Sequence, residues 1–310
     1  MASVHYKITI NSRSGGRSAV AAAAYRAAEK IYNHRDGIFY DFTRKRGVAH
    51  SEILLPEHAP KEYADRAILW NAVEHAERQK NAQTARHVDI GLPVELDRKS
   101  QLDLLRDYVQ TQFVDRGMCA DICVHDKSDG NPHAHIMLTM RPLNADGTWG
   151  AKSRKEYVLD DNGQRMLLPS GNWKSKRVST TDWDEHGNVE QWRTQWAQAV
   201  NREYERLGLE RCIDLRSYQR QGLDKEPTRH LGAAAAKMEK EGKRTYLGDC
   251  NREIEARNAQ RERGRHIRNL DESNFSQRPQ REELAKDRLP SYDEWLAGYK
   301  QQPRGIERGR

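Results

Sequence analysis

The sequence predicts an α+β fold, in which a central antiparallel sheet has helices packed on one face and a charged helical extension follows at the C-terminus. Four segments alternate apolar and polar residues with the period of a half-buried strand. They are residues 4–10, 86–93, 118–125 and 133–140. Each has one oily face, which helices must cover, and one polar face that stays open for chemistry. Beyond Leu223 charges of both signs alternate, which indicates an exposed helix or a partly disordered arm.

Three helices are predicted from their start signals and apolar spacing. Ser18, just after a glycine pair, is placed to cap a helix over about 18–32. Pro60 suits the first position of a second helix, which extends to about residue 80. A third helix begins near Ser100.

Two further elements precede the C-terminal tail. Residues 156–168 form a predicted hairpin with its turn at Asn162 and Gly163. A helix over about 189–207 carries Trp192 and Trp196 at helical spacing, and we interpret these tryptophans as core residues.

The positive charge of the chain is concentrated in its C-terminal third. The chain has 310 residues and a formal net charge of +7. From Arg216 onward it holds 22 Lys and Arg against 16 Asp and Glu, so most of the positive surplus lies in the last third. Such a tail favours a polyanionic partner, and a solvated charged helix is the alternative.

The cysteines and the hydropathy indicate the compartment. Four cysteines occur and none forms a CxxC pair, which is typical of reduced thiols in a cytosolic protein. No run of about 18 apolar residues and no signal-peptide pattern are present, so no membrane span is expected.

The strongest chemical signal is the segment "VHDKSDGNPHAH". His133 and His135 are two residues apart on a strand, so both side chains point to the same face. His125 ends the preceding strand and shares a face with Cys123. Three imidazoles can therefore converge on one metal ion and leave positions open for substrate and water. The alternatives are an exposed strand without metal, and a structural zinc site with Cys123 as fourth ligand.

Asp89 lies on the polar face of its own predicted strand. A carboxylate there can accept the second N–H of a ligating histidine, which fixes the tautomer and raises the basicity of the ligand. An ordinary surface aspartate is the alternative.

Tyr25 stands alone among alanines in "NSRSGGRSAVAAAAYRAAEK". A tyrosine on such a helix is usually a packing residue. Three neighbours favour a chemical role here, namely a basic glycine-rich loop before it, a predicted metal site and a cationic chain. A phenol has a pKa near 10 and needs help to act as a nucleophile. A metal ion on a phosphodiester supplies that help, and the product is a phosphotyrosyl bond.

These segments resemble the MobA/MobL-type plasmid mobilisation relaxases, which are tyrosine HUH endonucleases. The resemblance rests on "SRSGGRSAVAAAAYR", "VDIGLPVEL", "VHDKSDGNPHAHIML", "SGNWKSKRVSTTDW" and "YQRQGLDKEPTRHLG". It covers about residues 1–235, and the order and spacing of the motifs make it specific. It implies a relaxase domain over 1–235 with an HUH-relaxase-like sheet, and a basic, charged, helical or partly disordered extension over 236–310.

The resemblance also implies an activity and its residues. Tyr25 matches the nucleophile that attacks one strand at the nic site of an origin of transfer, keeps the 5′ phosphate and frees a 3′ hydroxyl. His125, His133 and His135 match the three metal ligands. Asp89 falls where relaxases carry an acidic residue, often Glu, beside a ligating histidine. After conjugative transfer the strand is rejoined.

Cofactor, partners and location follow from the same resemblance. Three imidazoles suit Mn²⁺, Zn²⁺ or Ni²⁺ better than Mg²⁺, and because related enzymes use Mn²⁺ or Mg²⁺, Mn²⁺ is favoured and Mg²⁺ is the alternative. The expected partners are single-stranded and duplex DNA at the origin of transfer, accessory relaxosome proteins and a coupling protein. The expected location is the bacterial cytoplasm.

Two groups of residues are candidates for DNA contacts. Arg13 and Arg17 in the opening loop are placed to hold phosphates beside the tyrosine. A second segment mixes an aromatic residue for stacking with cations for the DNA backbone; a solvated loop is the alternative. Its candidate residues are Trp173, Lys174, Lys176 and Arg177.

Two other functions remain open from the sequence. One is a rolling-circle replication initiator or transposase with the same metal and tyrosine chemistry. Replication initiators commonly place the tyrosine after the histidine pair, whereas here it comes before, which favours the relaxase. The other is a non-catalytic DNA-binding accessory protein whose histidines hold a structural metal.

Overall fold

A computed structural model describes residues 5–128 and 130–272. The chain divides into two compact units, one reaching Leu215 and the other beginning at Arg216. All four cysteines are free thiols, as the sequence indicates. Within the described residues, no helix combines the length and the apolar character needed to cross a membrane.

The centre of the first unit is a five-stranded antiparallel sheet, which confirms the predicted α+β class. Its strands are β1 (Tyr6–Ser12), β4 (Val48–Leu54), β5 (Gln83–Gly91), β6 (Ala120–His125) and β7 (His133–Thr139). They lie in the order β1-β5-β7-β6-β4. Four of the five were predicted. The exception, β4, is an edge strand whose residues are mostly half-buried or exposed, so it lacks a clear apolar alternation.

Helices lie against both faces of this sheet. The oily face is covered by α3 (Arg98–Val109) and α4 (Asn188–Arg206), and Trp192 and Trp196 are fully buried there, as predicted. The second face was predicted to be open. Part of it is instead covered by α1 (Ala19–Ala27) and α2 (Arg66–Ala76), whose apolar residues form a second buried cluster with side chains of the sheet.

The helix that carries Tyr25 is shorter than predicted. α1 ends at Ala27 rather than at residue 32, because Ala28 adopts a left-handed conformation with φ 58°. The chain then enters a two-stranded hairpin of β2 (Lys30–Asn33) and β3 (Ile38–Asp41). Tyr32 therefore lies on a strand and not on the helix.

The second helix is also shorter than predicted. Residues Lys61–Ala64 form a single 3₁₀ turn, and α2 starts only after Asp65, whose carboxylate accepts a hydrogen bond from the backbone N–H of Ile68 at 2.9 Å. The N-cap is therefore Asp65, and Pro60 precedes the 3₁₀ turn.

An exposed β-arm spans β8 (Ser153–Tyr157) and β9 (Ser175–Ser179). Between them the chain folds back twice, through bridges that join Leu159 to Arg165 and Leu167 to Trp173. The predicted turn is present, because the N–H of Gly163 donates to the carbonyl of Asp160 at 3.0 Å.

The second unit contains α5 (Gly232–Lys240) and α6 (Tyr246–Glu272), in agreement with the predicted helical extension. Ion pairs link its segments, including Arg252 with Glu239 at 2.7 Å and Arg257 with Glu226 at 2.9 Å. The predicted extension beyond Glu272 lies outside the described residues.

A buried carboxylate anchors the start of α1. Glu74 on α2 accepts a hydrogen bond from the backbone N–H of Ala19 at 2.7 Å and pairs with Arg13 at 2.6 Å. We expect Glu74→Gln to lower the free energy of unfolding by about 2–4 kcal/mol, because Arg13 would lose its buried counter-charge. Chemical denaturation measures this, with the exposed Glu57→Gln as the matched control. Equal stability of the two variants would show that the pair contributes little.

Candidate active site

Three histidines meet where β6 and β7 pair. His125 lies opposite His133 in the register of the two strands, and His135 follows two residues later on the same face. The ring centroids are 4.6–5.5 Å apart. One nitrogen from each ring lies within 4.8 Å of the other two, and no other group of His, Cys, Asp or Glu among the described residues has this spacing. The cluster fits the ligand set of a divalent metal ion.

Hydrogen bonds to the outer nitrogens orient the rings. Nδ1 of His135 lies 2.5 Å from Oδ1 of Asp89, and Nδ1 of His133 donates to the carbonyl of Asn131 at 2.8 Å. In these tautomers the lone pair of each ring is on Nε2. His125 differs, because its Nε2 donates to the carbonyl of Arg26 at 2.6 Å and its lone pair is therefore on Nδ1.

Burial favours the uncharged form of two of the three histidines. It lowers the pKa of His125 to about 4, and the neighbouring His135 and Lys45 act in the same direction. Burial also lowers the pKa of His135, although the hydrogen bond to Asp89 opposes it. Burial alone would raise the pKa of Asp89, but the contact with His135 outweighs it and the pKa is lowered. At neutral pH His125 and His135 are therefore neutral and able to bind a metal, and Asp89 is an anion.

Tyr25 lies in the last turn of α1 with its side chain 52% exposed. Ala23 and Ala24 are fully buried against the second face of the sheet, so the short side chains let the helix lie close while the tyrosine faces outward. The ring meets the edge of Phe42 at 5.3 Å, and Nζ of Lys45 lies 4.0 Å from the ring centroid.

Two contacts join Tyr25 to the histidines. The carbonyl that accepts the hydrogen bond of His125 belongs to Arg26, the next residue after Tyr25. The ammonium group of Lys45 donates to the carbonyl of Tyr25 at 2.8 Å and lies 3.5 Å from Nε2 of His125. The C-terminal end of α1 therefore reaches the predicted metal site.

Lys45 was not predicted from the sequence. Burial lowers its pKa to about 8, and the charges of Arg26 and Lys127 add to this effect. The only sequence signal was the short basic run "RKRG", whose position beside Tyr25 depends on how the chain enters β4.

Cys123 is not part of the three-histidine group that could hold a metal ion. Its side chain is buried next to the ion pair of Arg66 and Asp121, which Trp70 completes by donating to Asp121 at 2.8 Å. Burial raises the pKa of the Cys123 thiol, which disfavours the thiolate that a metal would need. The alternative of a structural zinc site with Cys123 as fourth ligand therefore loses its support.

The structure argues against one predicted DNA contact. The side chain of Arg13 is 8% exposed, and its guanidinium is bound to Glu74 and to the backbone carbonyls of Glu77 and Gln79. These bonds hold the opening loop to the end of α2 and compete with any contact to phosphates. Arg17 is exposed.

The other predicted DNA contacts lie on the β-arm. Trp173 is 45% exposed, and Lys174 is exposed beside it. Lys176 lies 3.8 Å from Glu156, and Nε of Arg177 donates to the hydroxyl of Ser153 at 2.5 Å. These side chains form an exposed surface of cations and one aromatic ring.

The fold and the site together define a class. This is an α+β protein with a three-histidine candidate metal site at the meeting of two antiparallel strands and a helix-borne tyrosine joined to that site. The sequence matches the MobA/MobL family over residues 17–241, and the chain belongs to this family. The resemblance inferred from the motifs is confirmed.

Two relatives of this chain are a conjugal transfer protein and a probable mobilization protein. Conjugal transfer protein TraA of Agrobacterium fabrum is 38% identical over 279 residues, which are 84% of this chain and 24% of TraA. The probable mobilization protein MobA of Bifidobacterium longum is 35% identical over 83% of this chain and 48% of MobA. The chain thus spans about a quarter of one relative and about half of the other.

A solved structure supports the fold. A chain from work on the molecular basis of vancomycin resistance transfer in Staphylococcus aureus matches with a TM-score of 0.60 and 30% sequence identity. The match covers 70% of this chain and all of that one. The family match and the relatives place this chain among proteins of conjugation and mobilisation.

Proposed function

We propose that this protein nicks one DNA strand at the nic site of a plasmid origin of transfer, holds the 5′ phosphate on Tyr25, and rejoins the strand after conjugative transfer. The observation that carries the proposal is the junction of Tyr25 with the three-histidine cluster, through the Arg26 carbonyl and Lys45. Family membership supports it, because the named relatives are conjugal transfer and mobilisation proteins.

The proposed reaction is a reversible transesterification at phosphorus. The phenolic oxygen of Tyr25 forms a bond to phosphorus and gives its proton to solvent. The bond from phosphorus to the 3′ oxygen breaks, and that oxygen takes up a proton and leaves as a 3′ hydroxyl. The reverse reaction rejoins the strand without ATP, because the phosphotyrosyl bond conserves the energy of the phosphodiester.

His125, His133 and His135 are the proposed metal ligands. Three imidazoles suit Mn²⁺, Zn²⁺ or Ni²⁺ better than Mg²⁺, and we favour Mn²⁺, with Mg²⁺ as the alternative, because related enzymes use one of these two ions. The bound ion would polarise the phosphate and stabilise the charge of the transition state. Asp89 is a positioning residue, because it orients the ring of His135. Lys45 places a positive charge over the Tyr25 ring, where it would attract the phosphate.

The direct test uses a supercoiled plasmid that carries the DNA next to this gene. With Mn²⁺, we expect conversion to the open circular form after SDS, and a protein–DNA adduct on the corresponding single-stranded oligonucleotide. EDTA should prevent both. Binding without nicking or adduct would contradict the proposal and favour a DNA-binding accessory protein. Nicking at a replication origin in place of an origin of transfer would favour a replication initiator.

We expect Asp89→Asn to weaken Mn²⁺ binding by about 10- to 100-fold, because the ring of His135 loses its charged hydrogen-bond partner. Isothermal titration calorimetry measures the affinity. Asp161→Asn, at an exposed position in a turn of the β-arm, is the matched control. Unchanged affinity in Asp89→Asn would mean that the carboxylate has no role in the metal site.

We further propose that residues 1–235 act as the relaxase domain and that 236–310 are an extension which binds DNA outside the nic site. The second compact unit begins earlier, at Arg216. The expected bacterial cytoplasmic location, relaxosome partners and coupling protein belong to the same proposal.

A chain that ends at Ala235 should therefore still cleave a short single-stranded nic oligonucleotide, since every proposed catalytic residue precedes it. Its binding to long duplex should weaken, and its salt dependence should flatten by about 0.9 in the slope of log K against log salt for each lost phosphate contact. The measurement is the binding constant of the full and the shortened chain for the same duplex at a series of salt concentrations. Equal slopes would favour a protein partner for the tail.

A further inference from the structure

An exposed aromatic surface lies directly after the helix of Tyr25. We call residues 30–41, which comprise β2 and β3, the aromatic hairpin. Tyr32 and Phe39 are cross-strand partners on its outward face, with ring centroids 4.8 Å apart. They are 38% and 61% exposed. Nζ of Lys30, on the same face, lies 4.9 Å from the centroid of Phe39.

Neither ring belongs to the buried core. The inward residues of the hairpin, Ile31 and Tyr40, pack against the cluster on the second face of the sheet. Phe39 is not part of either buried cluster. Two exposed rings with a cation beside them are costly to leave in water and match the composition of a surface that stacks unpaired bases.

We propose that the outward face of the aromatic hairpin binds unpaired bases of the DNA strand beside the scissile bond, by stacking on Phe39 and Tyr32, with Lys30 close to the sugar–phosphate backbone. This inference rests on the proposed function, and it assigns a nucleotide-binding subsite to residues outside the metal cluster.

Continuity with the site of Tyr25 supports the inference. β3 leads into Phe42, whose ring meets the edge of the Tyr25 ring, and the N–H of Phe42 donates to the carbonyl of Glu29 at 3.1 Å. Phe39 is three residues before Phe42, or roughly 10 Å along a strand. Stacked nucleotides rise by about 3.4 Å each, so the rings are within reach of the first few bases beside the cleaved phosphate.

The charge of the segment also fits DNA. Residues 30–46 contain five basic and two acidic side chains. Asp36 accepts hydrogen bonds from Asn33 and Tyr40. Asp41 accepts one from Thr43 and lies 3.8 Å from the ammonium group of Lys30, so the segment keeps a positive surplus beside this exposed ion pair. The basic residues are Lys30, Arg35, Arg44, Lys45 and Arg46. An apolar surface surrounded by cations favours a polyanion with flat bases over an apolar protein partner.

The first test is the affinity of the full chain for a thymidine oligonucleotide of about 20 nucleotides, which is longer than a typical single binding site. Fluorescence anisotropy should show Phe39→Ala binding about 5- to 150-fold more weakly, as expected for the loss of one base–aromatic stack. Phe39→Tyr should bind like the native chain, because the ring is kept. Val189→Ala, an exposed apolar position on α4, is the control for unrelated surface changes.

The second test is a double-mutant cycle with abasic sites. In an oligonucleotide that spans the nick, removal of one base should weaken binding to the native chain and have little further effect on Phe39→Ala. Additive losses at every position, or equal affinity of Phe39→Ala and the native chain, would overturn the inference. If the native chain forms the adduct but Phe39→Ala binds the oligonucleotide as tightly as the native chain, only this inference is refuted and the proposed function stands. Absence of the adduct in the native chain refutes the proposed function.

Discussion

Tyr25→Phe should reduce formation of the covalent protein–DNA adduct by more than about a thousandfold, while single-stranded DNA affinity stays within a few fold. The substitution removes only the hydroxyl group that we propose as the nucleophile. The ring keeps its edge contact with Phe42 and its place under the ammonium of Lys45, so the surface offered to DNA hardly changes. SDS gel electrophoresis of the reaction with a labelled nic oligonucleotide measures the adduct.

Tyr218→Phe provides the control, since this exposed tyrosine lies in the second unit. If Tyr25→Phe still yields an adduct that survives SDS, Tyr25 is not the nucleophile. Tyr32 is then the next candidate, although it lies on β2 and does not share the helix of Tyr25. Peptide mapping of the adduct identifies the tyrosine in either case.

The double variant His133→Ala with His135→Ala should lose detectable Mn²⁺ binding and all cleavage. Two of the three imidazoles are removed, and a single histidine does not hold a divalent ion at micromolar concentration. The fold should persist, because both side chains are only partly buried and lie outside the two apolar clusters. Calorimetry with Mn²⁺ and far-ultraviolet circular dichroism test the two statements.

His58→Ala with His186→Ala is the matched control, because both histidines are exposed and outside the cluster. It should bind Mn²⁺ like the native chain. Undiminished Mn²⁺ binding by the His133 and His135 variant would refute the three-histidine assignment and leave Tyr25 without its proposed activating ion.

The histidine cluster could be predicted because it depends on strand parity and a short connection. Alternation assigns His133 and His135 to one face, and the seven-residue link returns the chain beside His125. Asp89 follows from the same parity, once its strand is paired with β7. These relations are local or nearly so, and few competing arrangements exist.

The errors have long-range or conformational causes. Alanine is a strong helix former, so nothing in the sequence signals that Ala28 turns left-handed and ends α1. The partner of Arg13, Glu74, is 61 residues away, so the sequence does not show the ion pair that competes with the predicted DNA contact. Lys45 was missed because its position beside His125 depends on the pairing of β4 with β6.

Because α1 ends at Ala27, the negative end of its helix dipole lies beside the histidine cluster. The last carbonyls of a helix carry about half an elementary negative charge, and here one of them, that of Arg26, is in contact with His125. These carbonyls attract cations, and the ammonium group of Lys45 already donates to one of them, that of Tyr25, at 2.8 Å. The proposed metal ion would add a second positive charge beside it, so metal and DNA should bind cooperatively, each strengthening the other by the same factor. Without the proposed ion, the affinity for the strand at the point of cleavage should therefore be lower.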